Sequence, residues 1–271
     1  MVLPGQLGGR VGRRRDILYD MKSRLSGRLF VFPGYAGRSM PRALRPRSGQ
    51  PRGISSSGRK RSTLPGEIVS ELRQTARAGK ADDAISRLER GVELLERGDA
   101  KGAAAEAHKA KDLAPRSPAV REVLGMALYQ LERFPEALTE MQAYRRMSGR
   151  ADQNHIIADS LRAVGRPERA VTLAEEALGA RGVPLAAKAE AVIVAASALA
   201  DLGKFDQALG LLRRVRTRDD VAGTEVLRVW YVTGDILERA GRPQDAVREF
   251  RKIVRHDAGA FDAAERAAAL A

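Results

Sequence analysis

The sequence predicts an all-α fold, a right-handed solenoid of helical hairpins carried behind a basic tail. Five hexapeptides recur in phase, apolar residues flank them at helical spacing, and the charge divides sharply near residue 65. The 271 residues carry 48 Lys+Arg against 34 Asp+Glu, a net charge of +14. Residues 1–65 hold 15 of those basic residues and only two acids, Asp16 and Asp20, a net of +13. The other 33 basic and 32 acidic residues leave 66–271 almost neutral.

The tail, 1–65, contains 10 of the 26 Gly and 6 of the 12 Pro and shows no sustained period of 3.6 or 2. Such a segment buries too little apolar surface to offset its chain entropy and is expected to be disordered. Its basic residues sit among glycines. Arg13, Arg14, Arg15, Arg28, Arg38, Arg59, Lys60 and Arg61 are the candidates for phosphate contact, with Tyr19, Phe30, Phe32 and Tyr35 interleaved. Arginine pairs with phosphate and stacks on bases, and aromatic rings stack too. RNA or ribosome binding is therefore one reading of the tail, and a merely solubilising segment is the other. Met21 and Met40 are alternative starts; a start at Met40 removes all four aromatics.

A capping helix is expected over 66–79, opened by Pro65-Gly66, with Ile68, Val69 and Leu72 on one face. Hairpin repeats follow over roughly 84–258. The hexapeptides are GDAKGA (98–103), ERFPEA (132–137), GRPERA (165–170), GKFDQA (203–208) and GRPQDA (241–246). Their final alanines are spaced 34, 33, 38 and 38 residues apart. Ile157, Leu161 and Val164 form an i, i+4, i+7 stripe before the third hexapeptide, and a second helical pattern follows it. Glycine ends the first helix of a pair at low steric cost, and Pro167 and Pro243 suit the first turn of the next. The final alanine must be small because two helices approach closely there. The two 38-residue spacings place extra length near Gly179–Leu185 and Arg216–Gly223. A second capping helix is expected over 260–271, covering the outermost repeat.

With these positions in phase, the chain resembles the tetratricopeptide repeat family, whose unit is about 34 residues of helix–turn–helix. Gly91, Ala103, Ala110 and Pro115 match in the first repeat, and Leu124, Gly125, Leu128, Ala137 and Leu138 in the second. The third and fourth carry Leu161, Ala170, Ala177, Ala196, Leu199 and Ala208. The fifth has the fullest set, Trp230, Gly234, Leu237, Ala246 and Phe250. The stretches AYRRMSG (143–149) and ADSLRAVGRPERAVTLAEEA (158–177) also resemble an uncharacterised actinobacterial group of such proteins with basic N-terminal extensions.

Little in the sequence suggests catalysis. There is no Gly-x-Ser-x-Gly elbow, no phosphate-binding Gly-x4-Gly-Lys-Ser/Thr loop and no cysteine. His108, His155 and His256 are far apart, so neither a metal nor a cofactor is expected, and the chain reads as a non-enzyme. No apolar run reaches the ~18 residues of a membrane helix, and no secretory signal is evident, so a cytoplasmic location is expected.

The resemblance implies that a partner segment binds along the first helices of the pairs. The family's groove positions fall on Glu122, Met126, Tyr129 and Gln130; on Asp152, His155, Asp159 and Arg162; on Glu190, Ser197 and Asp201; and on Arg228, Tyr231, Asp235, Glu238 and Arg239. Seven of these are acids and three are arginines, which favours a basic protein or peptide partner. Chaperone-binding members use Lys and Asn at these positions to hold a C-terminal carboxylate, a pattern missing here. A third expectation follows from the charge division: the tail could fold back into this acid-leaning groove. Trp230 is expected in the core rather than at the surface.

Overall fold

The computed structural model describes residues 62–181, 185–215 and 223–271. Residues 1–61 of the tail, with every candidate phosphate contact, lie outside these residues. So do 182–184 and 216–222, which hold part of the extra length expected between hairpins.

The described residues form twelve helices and no strand. We number them α1 (Gly66–Thr75), α2 (Ala81–Glu96), α3 (Ala100–Leu113), α4 (Pro118–Gln130), α5 (Phe134–Ser148), α6 (Asn154–Ala163), α7 (Pro167–Gly179), α8 (Leu185–Asp201), α9 (Phe205–Leu212), α10 (Thr224–Arg239), α11 (Pro243–His256) and α12 (Ala263–Ala269). Helices α2–α11 make five hairpins. Each second helix also packs on the first helix of the following pair, so the hairpins stack into one array. α1 covers one end and α12 the other.

The turn inside each hairpin repeats almost atom for atom. The first residue of every hexapeptide takes a left-handed φ: Gly98 (80°), Glu132 (58°), Gly165 (75°), Gly203 (72°) and Gly241 (72°). The next residue donates its N–H to a leucine carbonyl five positions back. These bonds are Asp99 to Leu94, Arg133 to Leu128, Arg166 to Leu161, Lys204 to Leu199 and Arg242 to Leu237, all 2.8–3.0 Å. A second bond runs from the left-handed residue to the carbonyl three back, which completes a Schellman closure. The following helix starts within two residues. Pro135, Pro167 and Pro243 stand in its first turn, and in the first hairpin the Asp99 carboxylate caps it by accepting from Gly102 N at 2.8 Å.

The small positions are where the helices come closest. Ala103, Ala137, Ala170, Ala208 and Ala246 have no exposed surface. Trp230 lies in the core, its ring 5.4 Å from that of His256. One apolar cluster runs unbroken from Leu64 to Ala267. α1 stops at Thr75 because Ala76 turns extended and the next N–H, from Arg77, bonds the Leu113 carbonyl at 2.9 Å.

The hairpins do not stack straight. Each first helix also packs on the next first helix, α2 on α4, α4 on α6, α6 on α8 and α8 on α10, a contact that the second helices do not match. The first helices are therefore the inner side of a curved array.

Candidate binding groove

The groove positions expected from the sequence fall on these inner helices, except Asp152 in the turn that leads into α6, and they divide by depth. Glu122, Met126, Tyr129, Asp152, His155, Asp159, Glu190, Ser197, Arg228 and Tyr231 are buried and make the floor. Gln130, Arg162, Asp201, Asp235, Glu238 and Arg239, toward the C-terminal ends of their helices, are half-buried or exposed and make a rim.

Across the floor and rim runs a chain of alternating carboxylates and guanidinium groups. On α4 the Tyr129 hydroxyl donates to the Asp159 carboxylate on α6. Asp159 accepts from Arg162 Nε at 2.9 Å. Arg162 reaches across to Asp201 on α8 at 3.0 Å, and Arg239 on α10 donates to the same carboxylate at 3.0 Å. Arg239 also lies 3.9 Å from Asp235. Asp235 and Glu238 in turn receive Arg266 from α12, at 3.0 and 2.5 Å. The Arg266 guanidinium lies over the rings of Tyr231 (5.4 Å) and Phe250 (4.6 Å), and the Tyr231 hydroxyl donates to Asp262 at 2.7 Å. One polar ladder thus links α4, α6, α8, α10 and α12.

Deeper in the floor, Arg228 Nη2 on α10 donates to Glu190 Oε2 on α8 at 2.6 Å. Burial dominates this pair. It pushes the Glu190 carboxyl up to about 7 despite the arginine, and it pulls Arg228 below the usual guanidinium range. Burial, reinforced by the Asp159 charge, likewise drives the Tyr129 phenol far above its ordinary value, so it stays a donor. Tyr129, Asp159, Glu190 and Arg228, from four successive first helices, lie within electrostatic reach of one another. At the α4–α6 junction Gln153 donates to Glu122 at 2.7 Å. There, Tyr144 and Arg150 both donate to Asp152, at 2.8 and 2.7 Å.

Arg150, Gln153, Asp262 and Arg266 were not among the groove positions read from the sequence. Arg266 left a signal: it stands 38 residues after Arg228, which stands 38 after Glu190. Among the described residues no three His, Asp or Glu are placed to hold a metal ion, and no helix is long and apolar enough to cross a membrane.

The repeat register, the five identical turn closures and the inner line of first helices agree with a comparison of the sequence to known families. The family model described as tetratricopeptide repeat matches residues 88–154 and 193–263, half of the chain. The chain belongs to the tetratricopeptide repeat family. A comparison with curated proteins finds no match. Among solved structures, the fold is similar to that of TTC0263, a thermophilic tetratricopeptide-repeat protein of Thermus thermophilus. The TM-score is 0.56 at 17% identity, over 69% of this chain and 98% of that one. It is also similar to the human IFIT1 dimer with m7Gppp-AAAA, with a TM-score of 0.54 at 18% identity, over 73% of this chain and 50% of that one. At these identities the likeness is one of fold. Tetratricopeptide arrays generally mediate protein–protein interaction through such stacked hairpins.

Proposed function

We propose that this tetratricopeptide protein is a non-enzymatic scaffold whose inner groove takes a basic, extended or helical segment of a partner protein. The observation that carries this reading is the charge of the inner face. Eight carboxylates (Glu122, Asp152, Asp159, Glu190, Asp201, Asp235, Glu238 and Asp262) share it with five arginines (Arg150, Arg162, Arg228, Arg239 and Arg266). A surplus of carboxylates on a concave wall attracts cations and disfavours anionic segments. Asp235 on the accessible rim is the central contact in this reading, and Tyr129, His155 and Tyr231, being buried, support the rim from the floor. The test is titration of a fluorescein-labelled Arg/Gly-rich peptide into the full chain with Arg13, Arg14, Arg15, Arg28 and Arg38 replaced by Gln, and into the same protein carrying Asp201→Lys or Asp235→Lys, with circular dichroism to verify folding. Affinity should fall at least tenfold in the charge-reversed proteins. Equal affinity in all three would sink the groove assignment.

A second reading, RNA or ribosome association through the tail, is favoured by the 15 basic residues and four interleaved aromatics within 1–61. In that case the affinity of the full chain for single-stranded RNA falls steeply with salt, by a slope of about −0.7 per phosphate neutralised. Replacing Arg13, Arg14, Arg15, Arg28 and Arg38 with Gln should flatten that slope. An unchanged slope rules this reading out.

A further inference from the structure

We propose that the groove has a resident occupant: the arginine-rich segment 1–61 of the same chain, which lies along the inner face in cis and competes with partner segments. The proposal rests on the groove reading above and deepens it, because it makes occupancy of that site self-regulated.

The first support is a recognition mode that the protein already displays. Arg266 enters the inner face from α12 and is received by two carboxylates, Asp235 and Glu238, with the rings of Tyr231 and Phe250 beneath its guanidinium. Arg162 is received in the same way by Asp159 and Asp201, which belong to successive first helices. The inner face therefore takes guanidinium groups between paired carboxylates, which one first helix supplies for Arg266 and two successive ones supply for Arg162, and at Arg266 with aromatic surface alongside. The tail offers 13 arginines and 2 lysines, spaced by glycines that let a backbone approach a crowded floor, with Tyr19, Phe30, Phe32 and Tyr35 among them. The remainder of the chain sets its 33 basic residues against 32 acids and has no comparable surplus of cations.

The second support is where the tail begins. Its last residues are tied to a first helix: the Ser62 hydroxyl and the Thr63 N–H (2.6 Å) both donate to Glu89 on α2, and Leu64 is buried in the core. The tail therefore departs from one end of the line of first helices that forms the groove.

The third is reach. Four steps between packed first helices, from α2 through α4, α6 and α8 to α10, cover about 36 Å at ~9 Å per step. A flexible Gly-rich chain of this length has a root-mean-square span of roughly 43 Å. A chain of that span is long enough to reach along the whole groove. Tethering holds it there at an effective concentration of about 1 mM.

The test uses the full chain. A fluorescein-labelled peptide of residues 9–40 is titrated into the wild-type protein and into a full-length variant with Arg13, Arg14, Arg15, Arg28 and Arg38 replaced by Gln. These substitutions lie outside the described helices. A cis competitor at ~1 mM weakens a ligand of ~10–100 μM affinity by about 10- to 100-fold, so the variant should bind the peptide at least tenfold more tightly than wild type. Adding Asp235→Lys to the variant should remove most of that gain. Equal affinity for wild type and variant overturns the tail's occupancy while leaving the groove reading intact. If the tail binds RNA instead, the substitutions abolish RNA binding and leave peptide affinity unchanged, which also overturns it. A gain that vanishes on tenfold dilution of the protein would place the tail in a neighbouring molecule and overturn the cis arrangement. Failure of both proteins to bind the peptide defeats the groove reading itself.

Discussion

Gly125 on α4 and Gly234 on α10 occupy equivalent places in their hairpins, yet their tolerance to a methyl group should differ. A Cβ on Gly234 would meet the Phe250 ring at 2.7 Å, and one on Gly125 would meet Met141 at 2.8 Å. Phe250 has no exposed surface and a rigid ring, whereas methionine rearranges about three soft torsions. Gly234→Ala should therefore cost about 1–3 kcal/mol, and Gly125→Ala clearly less, as read from urea midpoints. Glu190 supports a second prediction. Its folded carboxyl titrates at about 7, above the ordinary 4.5. Between those values the native state holds a proton that the unfolded chain releases, so this contribution to stability is full below pH 4.5 and is lost as pH rises through 7. Glu190→Gln removes the titration. Measured by urea unfolding from pH 4.5 to 7.5, wild type should lose stability relative to the variant across that window. Parallel curves would refute the assignment.

Among the elements, the turn shows both how legible this fold is and where legibility stops. Four hexapeptides begin with glycine, and all four glycines adopt left-handed φ. Glu132 fills the same place in the remaining turn, that of the second hairpin, at φ 58°, held by the Arg133 bond to the Leu128 carbonyl. A side chain in that region costs roughly 1–2 kcal/mol, a cost glycine avoids while adding some chain entropy on unfolding. Glu132→Gly should then raise the thermal midpoint, by about 0.5–1 kcal/mol net; a lowered midpoint would show that the αL position is not strained. The hexapeptides were readable because close helix approach and a sharp turn each demand a residue type at a fixed place. The groove network was less so. Glu122, Asp159, Arg162 and Asp235 could be placed on the correct helices from register alone. That Arg162 pairs across to Asp201, or that Arg266 closes the end of the line, depends on how far each hairpin tilts against the next, and no single position encodes that tilt. Burial of so many of these polar groups has the same origin, since it arises from neighbouring first helices and not from their own sequence.

For the whole molecule, contacts run between neighbouring hairpins, so stability behaves as a sum of local and nearest-neighbour contributions. Removing one end of the ladder should be felt nearby and hardly at all at the other end. Arg266→Ala deletes the contacts to Asp235 and Glu238 and the packing over Tyr231 and Phe250. Hydrogen exchange should quicken in α10–α12 and stay unchanged in α2–α5; uniform quickening would mean that the array unfolds as one unit.

The ladder has a mechanical consequence as well. Its ion pairs join successive hairpins along the inner edge from α6 to α12, through Arg162, Asp201, Arg239, Asp235 and Arg266, whereas toward the other end the second helices α3, α5 and α7 are joined by Lys111–Glu140 and Arg145–Glu176. A coil laced in this way behaves as a spring whose stiffness depends on that lacing, and half-exposed ion pairs loosen as salt screens them. Small-angle scattering from 50 mM to 1 M NaCl should therefore show the radius of gyration increasing as the coil relaxes. The Asp201→Asn protein should begin nearer the relaxed dimension and change less.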